Sequence, residues 1–152
     1  KNLHYVMLRD SEQRGLLQTK VVINGDTLVF MNTHIDYRED DGERLLNVGQ
    51  LVELVKSLSQ YPIIVCGDFN DLPNSRTITA VKSYFSEAFS VLGMDSVKTF
   101  SVDKPERKID YIFFKEPQLK NCKATIKIND AKVLNSNASD HLPIYAELEL
   151  TK

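Results

Sequence analysis

Ile63-Ile64-Val65-Cys66-Gly67-Asp68-Phe69-Asn70 is the stretch that decides how the rest of the chain reads. Four apolar residues in a row, three of them β-branched, suit a central strand covered on both faces. A glycine then lets the backbone turn, and a carboxylate and an amide follow within three residues. The same design recurs upstream, where Leu28-Val29-Phe30-Met31 runs into Asn32-Thr33-His34-Ile35-Asp36. Downstream it recurs in reverse. Lys108-Ile109-Asp110-Tyr111 feeds the run Tyr111-Ile112-Phe113-Phe114, and Ser139-Asp140-His141-Leu142-Pro143 feeds residues 144–150. Two polar motifs thus follow their strands and two precede them. If the second pair of strands runs antiparallel to the first, all four motifs share one rim of one sheet.

The intervening sequence supports this layout. Residues 3–8 form an apolar run that reads as a strand, followed by a polar loop at 10–13. Asn24-Gly25 between two strand-like runs, 16–23 and 27–31, is a strong hairpin signal. Asp40 is placed to cap a helix, with Glu43 as its capping-box partner. Leu45, Val48, Val52 and Val55 recur at helical spacing, and Pro62 closes that segment before the next strand. Asn74 is expected to cap a second helix over 76–85. Residues 86–107 read as irregular. Strands are expected at 109–115, 124–128 and 144–150. The last alternates Ile144, Ala146, Leu148 and Leu150 against Tyr145, Glu147 and Glu149.

Composition sets bounds. The chain has 152 residues, 42% hydrophobic and 26% charged, which is globular rather than disordered. A formal net charge of −2 gives no broad electrostatic attraction to nucleic acid. Cys66 and Cys122 provide neither a disulfide framework nor zinc-ligand spacing, and Cys66 reads as a core thiol. No run reaches the roughly 18 to 20 apolar residues of a membrane span.

The four motifs, in this order and with these strands, resemble the endonuclease/exonuclease/phosphatase superfamily, whose fold is that of deoxyribonuclease I. The resemblance runs from about Gly15 to the last strand. It implies an α/β fold: half of a two-sheet, four-layer sandwich, with a mixed, mainly antiparallel sheet and flanking helices. The family opens with a strand ending in a catalytic Asn and a second motif ending in a metal-binding Glu. Neither is found here, so residues 1–152 resemble the C-terminal portion of one such domain. The inner face of the sheet would then be covered by a complementary N-terminal half or by self-association.

The resemblance also implies a metal-dependent phosphoesterase that uses activated water, with Mg2+ or Mn2+ as cofactor. Phosphodiester cleavage, as in a nuclease, is the first expectation. A phosphomonoesterase of the same fold, or a non-catalytic half-domain, is the alternative. The chain has no Trp, so the tryptophan-rich signature of inositol polyphosphate phosphatases is absent. The catalytic set carried over is His34, Asp68, Asn70, Asp110 and His141. Asp110 orients His141, which acts as base or phosphate contact, since a carboxylate on one ring nitrogen fixes the tautomer of the other. Asp68 activates or orients the attacking water. Asn70 donates to the phosphate, as an amide suits an oxyanion that a carboxylate would repel. His34 holds a phosphate oxygen or supports the leaving group.

Asp140 and Asp68 are the expected metal-facing carboxylates, in keeping with the preference of magnesium for oxygen ligands. Zinc is disfavoured, because no close histidine pair has helical spacing. Asn32, Arg44, Thr99 and Tyr111 are candidate substrate-binding residues. Each also has a plain alternative: loop bonding for Asn32, with Asp36 beside it, a solvated helix face for Arg44 and Gln50, and core packing for the residues around Thr99 and Tyr111. Lys104, Arg107 and Lys108 form the one notable basic cluster. The expected partner is a phosphoester substrate, nucleic acid among the candidates.

Overall fold

The expected hairpin forms over its full length. Strands β2 (Gly15–Ile23) and β3 (Asp26–His34) pair antiparallel, and Asn24 and Gly25 turn between them at φ 52° and 89°. Asn and Gly tolerate this left-handed backbone, which matches the twist of the paired strands. The computed structural model of the chain describes residues 1–10, 12–118 and 124–151, so Ser11 of the polar loop and Cys122 lie outside the described residues.

Six strands make the main sheet, in the order β1 (Asn2–His4), β2, β3, β4 (Ile63–Asp68), β6 (Asp110–Lys115) and β5 (Ser86–Glu87). β3 and β4 are parallel, and every other neighbouring pair is antiparallel. β4 lies inside the sheet, with Ile63, Ile64 and Val65 buried, as its unbroken apolar run requires. β7 (Thr125–Val133) and β8 (Ile144–Thr151) form a separate two-stranded sheet. The mixed α/β class and the two-sheet arrangement therefore stand. One placement differs. Three motifs sit on the main sheet, while the fourth opens β8 of the second sheet and reaches the rim from across the interface.

Each face of the main sheet has its own cover. On one face, Val48, Leu51, Val52 and Val55 of α1 (Gly42–Lys56) and Ile78 and Val81 of α2 (Arg76–Lys82) pack on Leu16, Val29, Met31 and Val65. On the other, Ile126, Ile128, Ile144, Ala146 and Leu148 of the small sheet pack on Ile64, Ile112 and Phe114. The second cover is partial. Leu17, Val21, Ile23 and Phe30, which alternation and register put on that same face, are exposed.

Several local expectations need correction. The apolar run at 3–8 is strand only as β1, because backbone N–H groups of Val6 and Leu8 are taken by Gln50 Oε1 and Glu43 Oε1 of α1. Glu43 therefore does not close a capping box. Asp41 stands at the N-cap without a capping hydrogen bond from its side chain, which accepts instead from Arg76 Nη1, while Asp40 pairs with Arg9. The helix ends at Lys56, well before Pro62. Ser75, not Asn74, caps α2, its hydroxyl accepting from Ile78 N. Residues 86–107 contain β5 and the short helix α3 (Ala88–Val91). Lys108 leaves the supposed basic cluster for the interior, where it pairs with Glu87 at 3.1 Å.

Candidate active site

The register of three strands builds the first part of the site. His34 pairs with Asp68 across β3 and β4, and Asp68 pairs with Asp110 across β4 and β6. Paired residues in a sheet point to the same face, so this row sets an imidazole and two carboxylates side by side. The row depends on Gly67. A Cβ there would sit 1.8 Å from Thr33 O, and the residue has φ 145°. Only glycine allows β3 and β4 to approach this closely while the chain turns toward Asp68. Asn70 follows at φ 48°, its N–H donating to Asp68 Oδ1 at 2.8 Å. That bond fixes the carboxylate and closes the turn.

The fourth motif completes the cluster. His141 Nδ1 lies 2.9 Å from Asp110 Oδ2. An ionised carboxylate only accepts, so Nδ1 carries the proton and Nε2 faces the site. His141 Nε2 is 3.8 Å from Asp68 Oδ2, and His34 Nε2 approaches the same oxygen to 3.5 Å. Asp68 and Asp110 are mostly covered, at 14% and 15% side-chain exposure, whereas His141 and His34 are 26% and 55% exposed. The carboxylates thus form the floor and the imidazoles the walls of an open site.

Charge is tuned accordingly. Burial, with the Asp110 charge beside it, pushes the Asp68 carboxyl above the ordinary aspartate range, against the pull of Asn70 N–H and both histidines. Burial opposes charge on His141, but the hydrogen bond and charge of Asp110, with Asp68 and Asp140, outweigh it. The imidazole therefore holds its proton to higher pH than usual.

Asp68, Asp110 and His141 each offer one donor atom, all within 4.8 Å of one another. Two crowded carboxylates suit a divalent cation, whose charge would offset the repulsion that raises Asp68. Asp140, expected at the metal, is exposed and lies outside this cluster; its side chain accepts from Ser139 Oγ.

The other anticipated residues are placed differently from one another. Asn32 is exposed on the inner face, and its amide reaches Cys66 O and Sγ at 3.4 Å. Cys66 is half-buried, and burial pushes its thiol up. Asn70 Nδ2 donates to Ile35 O at 3.1 Å, which ties two motif loops together. Asp36 is buried and binds Arg38 through Nε and Nη2. Arg44, Thr99 and Tyr111 are buried, so the structure gives none of them open surface for a substrate. Arg44 binds Asp71 at 3.1 Å and also donates to Arg38 O, while Tyr111 OH shares its one proton between Asp71 O at 2.8 Å and Lys108 O at 3.1 Å. Asp71 was not anticipated, although a carboxylate directly after Phe69-Asn70 was a readable signal. The Phe100 ring lies 4.8 Å from that of His141. A cavity of about 390 Å³ opens beside Asp110 between the two sheets, lined by Phe30, Ile64, Cys66, Ile112 and Ala146 among others.

Sheet, rim and cluster together define an α/β sandwich with a carboxylate–imidazole centre. Residues 4–141 match the model of the Endonuclease/Exonuclease/phosphatase family, and the chain belongs to that family. Its members are hydrolytic phosphoesterases. No curated protein sequence gives a significant match. Solved structures do. A mannosyl-6-phosphatase of Bacteroides thetaiotaomicron is 20% identical, with TM-score 0.74 over 90% of this chain and 57% of that one. The human Nocturnin catalytic domain with bound sulfate is 18% identical, with TM-score 0.76 over 99% and 58%. D. rerio TDP2 complexed with a single-strand DNA product is 16% identical, with TM-score 0.71 over 98% and 67%. At these identities the likeness establishes the fold. The chain spans less than two thirds of the length of the first two structures. Among the described residues, no helix is long and apolar enough to cross a membrane.

Proposed function

We propose that this chain carries the catalytic rim of a divalent-cation-dependent phosphodiesterase. The observation behind the proposal is the convergence of His34, His141 and Asp110 on Asp68, from four motifs spread over more than a hundred residues. A Mg2+ or Mn2+ ion held by Asp68 and Asp110 would supply charge neutralisation at the phosphoryl oxygens.

The remaining roles follow from the chain's own groups. Asp68, beside the cation it would help to hold, orients the attacking water by accepting a hydrogen bond from it, and the proton passes on to solvent. His141 keeps its proton because Asp110 holds Nδ1–H, and it presents a cationic Nε2–H to a non-bridging oxygen. His34, the most exposed member, contacts the phosphate from the opposite wall or supports the leaving oxygen. Asn70 Nδ2 has a second hydrogen beyond the one given to Ile35 O, and this is available to an oxyanion. Asn32 lies on the same face as a substrate contact.

A diester is the preferred class. A relative of this fold that carries a DNA product supports that preference, and a phosphomonoesterase relative names the competing reading. The test compares bis-p-nitrophenyl phosphate with p-nitrophenyl phosphate in Mn2+ or Mg2+. Faster diester cleavage is expected; monoester cleavage alone would move the assignment to a phosphatase.

A further inference from the structure

Asp110 and His141 form one hydrogen-bonded pair but stand on different sheets. Asp110 opens β6 of the main sheet, and His141 precedes β8 of the small one. A segment between them holds the two together. Thr99 is fully buried, and its Oγ1 accepts from Ile109 N at 3.2 Å and Asp110 N at 3.3 Å. Its carbonyl accepts from Leu142 N at 2.8 Å. One residue therefore grips the backbone at Asp110 and the backbone just after His141. Phe100 makes isolated bridges with both Arg107 and His141. Its ring lies 4.8 Å from the His141 ring at a tilt of 54°, and the Arg107 guanidinium sits 4.6 Å from the Phe100 ring. Val102 N donates to Asp140 O at 2.8 Å, which adds a further tie to the His141 loop.

We infer that Thr99 and Phe100 are positioning residues, a splint that sets the Asp110–His141 hydrogen bond across the two sheets. Neither needs to touch substrate. A hydroxyl oxygen has two lone pairs, and both are aimed at the N–H groups that start β6. Misplacing a catalytic group by about 1 Å can cost up to two orders of magnitude in rate, so such a splint has a kinetic signature. Phe100 limits rotation of the His141 ring, and Arg107 backs Phe100 by cation–π attraction.

The test uses Thr99→Val, Thr99→Ser, Phe100→Leu and Phe100→Tyr, read first by the low-field proton resonance of His141 Nδ1–H in the intact chain. Val keeps the shape of Thr99 and removes the acceptor, whereas Ser keeps the acceptor. The expected result is loss or broadening of the resonance in Thr99→Val and Phe100→Leu, and its retention in Thr99→Ser and Phe100→Tyr. Should Thr99→Val fail to fold, Phe100→Leu carries the test alone. An unchanged resonance in the folded Val and Leu variants overturns the inference. A kinetic arm rests on the phosphodiesterase reading. There kcat is expected to fall on the order of tenfold with KM little changed, and a rise in KM alone would mark a substrate contact instead. Absence of turnover in the wild type would count against the phosphodiesterase reading and leave the resonance to decide the splint.

Discussion

Lys108→Met examines how the floor of the site is anchored. Lys108 Nζ lies 3.1 Å from Glu87 Oε2, and the two side chains are 2% and 0% exposed. Phe89 and Tyr111 offer their rings to the same ammonium at 4.8 and 5.2 Å. Burial pulls Lys108 below the ordinary lysine range, which the Glu87 charge opposes only in part. Removing one partner of a buried pair typically costs about 3–5 kcal/mol, because the other charge is left uncompensated. Glu87 Oε2 keeps Ser90 N and Ser90 Oγ as donors, at 2.7 and 2.8 Å, but Oε1 has no hydrogen-bond partner. The lower end, about 3 kcal/mol, is therefore expected. For a urea slope of about 2 kcal/mol per molar, the midpoint falls by roughly 1.5 M. Adding Glu87→Gln removes the stranded charge and keeps an acceptor for Ser90, so the double variant should recover at least half of the loss. Equilibrium urea unfolding at pH 7 reads both. A loss below about 1 kcal/mol in Lys108→Met, with an unchanged slope, would refute the claim that this pair is a buried, mutually dependent unit.

Three further outcomes follow. Gly67→Ala forces a Cβ toward Thr33 O and imposes an unfavourable φ, so it should cost about 2–5 kcal/mol in urea unfolding; a neutral substitution would mean that β3 and β4 need no such approach. The pH–rate profile should be bell-shaped. Its acid limb reports ionisation of Asp68, which burial and Asp110 disfavour in the cation-free chain and a bound cation favours, so the limb should move to lower pH as Mn2+ rises. Its alkaline limb lies above 6.5 because His141 must stay protonated and its pKa is also raised. Asp110→Asn removes the hydrogen bond and the charge that most favour protonated His141, so turnover should fall with the lost cation ligand and the alkaline limb of what remains should move to lower pH; an upward move would contradict the assignment. Finally, Mn2+ at about a hundred times its dissociation constant should stabilise the fold by about 2.7 kcal/mol. Thermal unfolding with Mn2+ and with EDTA measures this, and Asp68→Asn should abolish the difference.

Where sequence determines geometry locally, the fold was legible. Asn24-Gly25 set the β2–β3 turn, the unbroken run from Ile63 to Cys66 marked an interior strand, and Val48, Val52 and Val55 marked the buried face of α1. Long-range side-chain bonds were not legible. Val6 and Leu8 have strand-like character, but Gln50 and Glu43 from α1 claim their N–H groups before a strand can. The same bond takes Glu43 away from the capping box. Lys108 reads as a surface charge unless Glu87, twenty-one residues away, is known to face it. β7 continues through polar residues to Val133 past a register shift between Ile128 and Asp130, which breaks the alternation that would have extended the strand. In the site, the four motifs were readable as a convergent set, and the hydrogen bond between Asp110 and His141 was anticipated. The row linking His34, Asp68 and Asp110 needed the strand register. The interior placement of Arg44, Thr99 and Tyr111 needed the tertiary fold, because each bonds to groups distant in sequence.

The most direct test of the central claim is hydrolysis of bis-p-nitrophenyl phosphate by the purified chain and by its His141→Ala variant, with Mn2+ or Mg2+ and with EDTA. The account predicts turnover that requires the cation and falls by at least two orders of magnitude in the variant, the loss expected when a preorganised oxyanion contact is removed. Turnover that survives EDTA, or that is unchanged in folded His141→Ala, would contradict it.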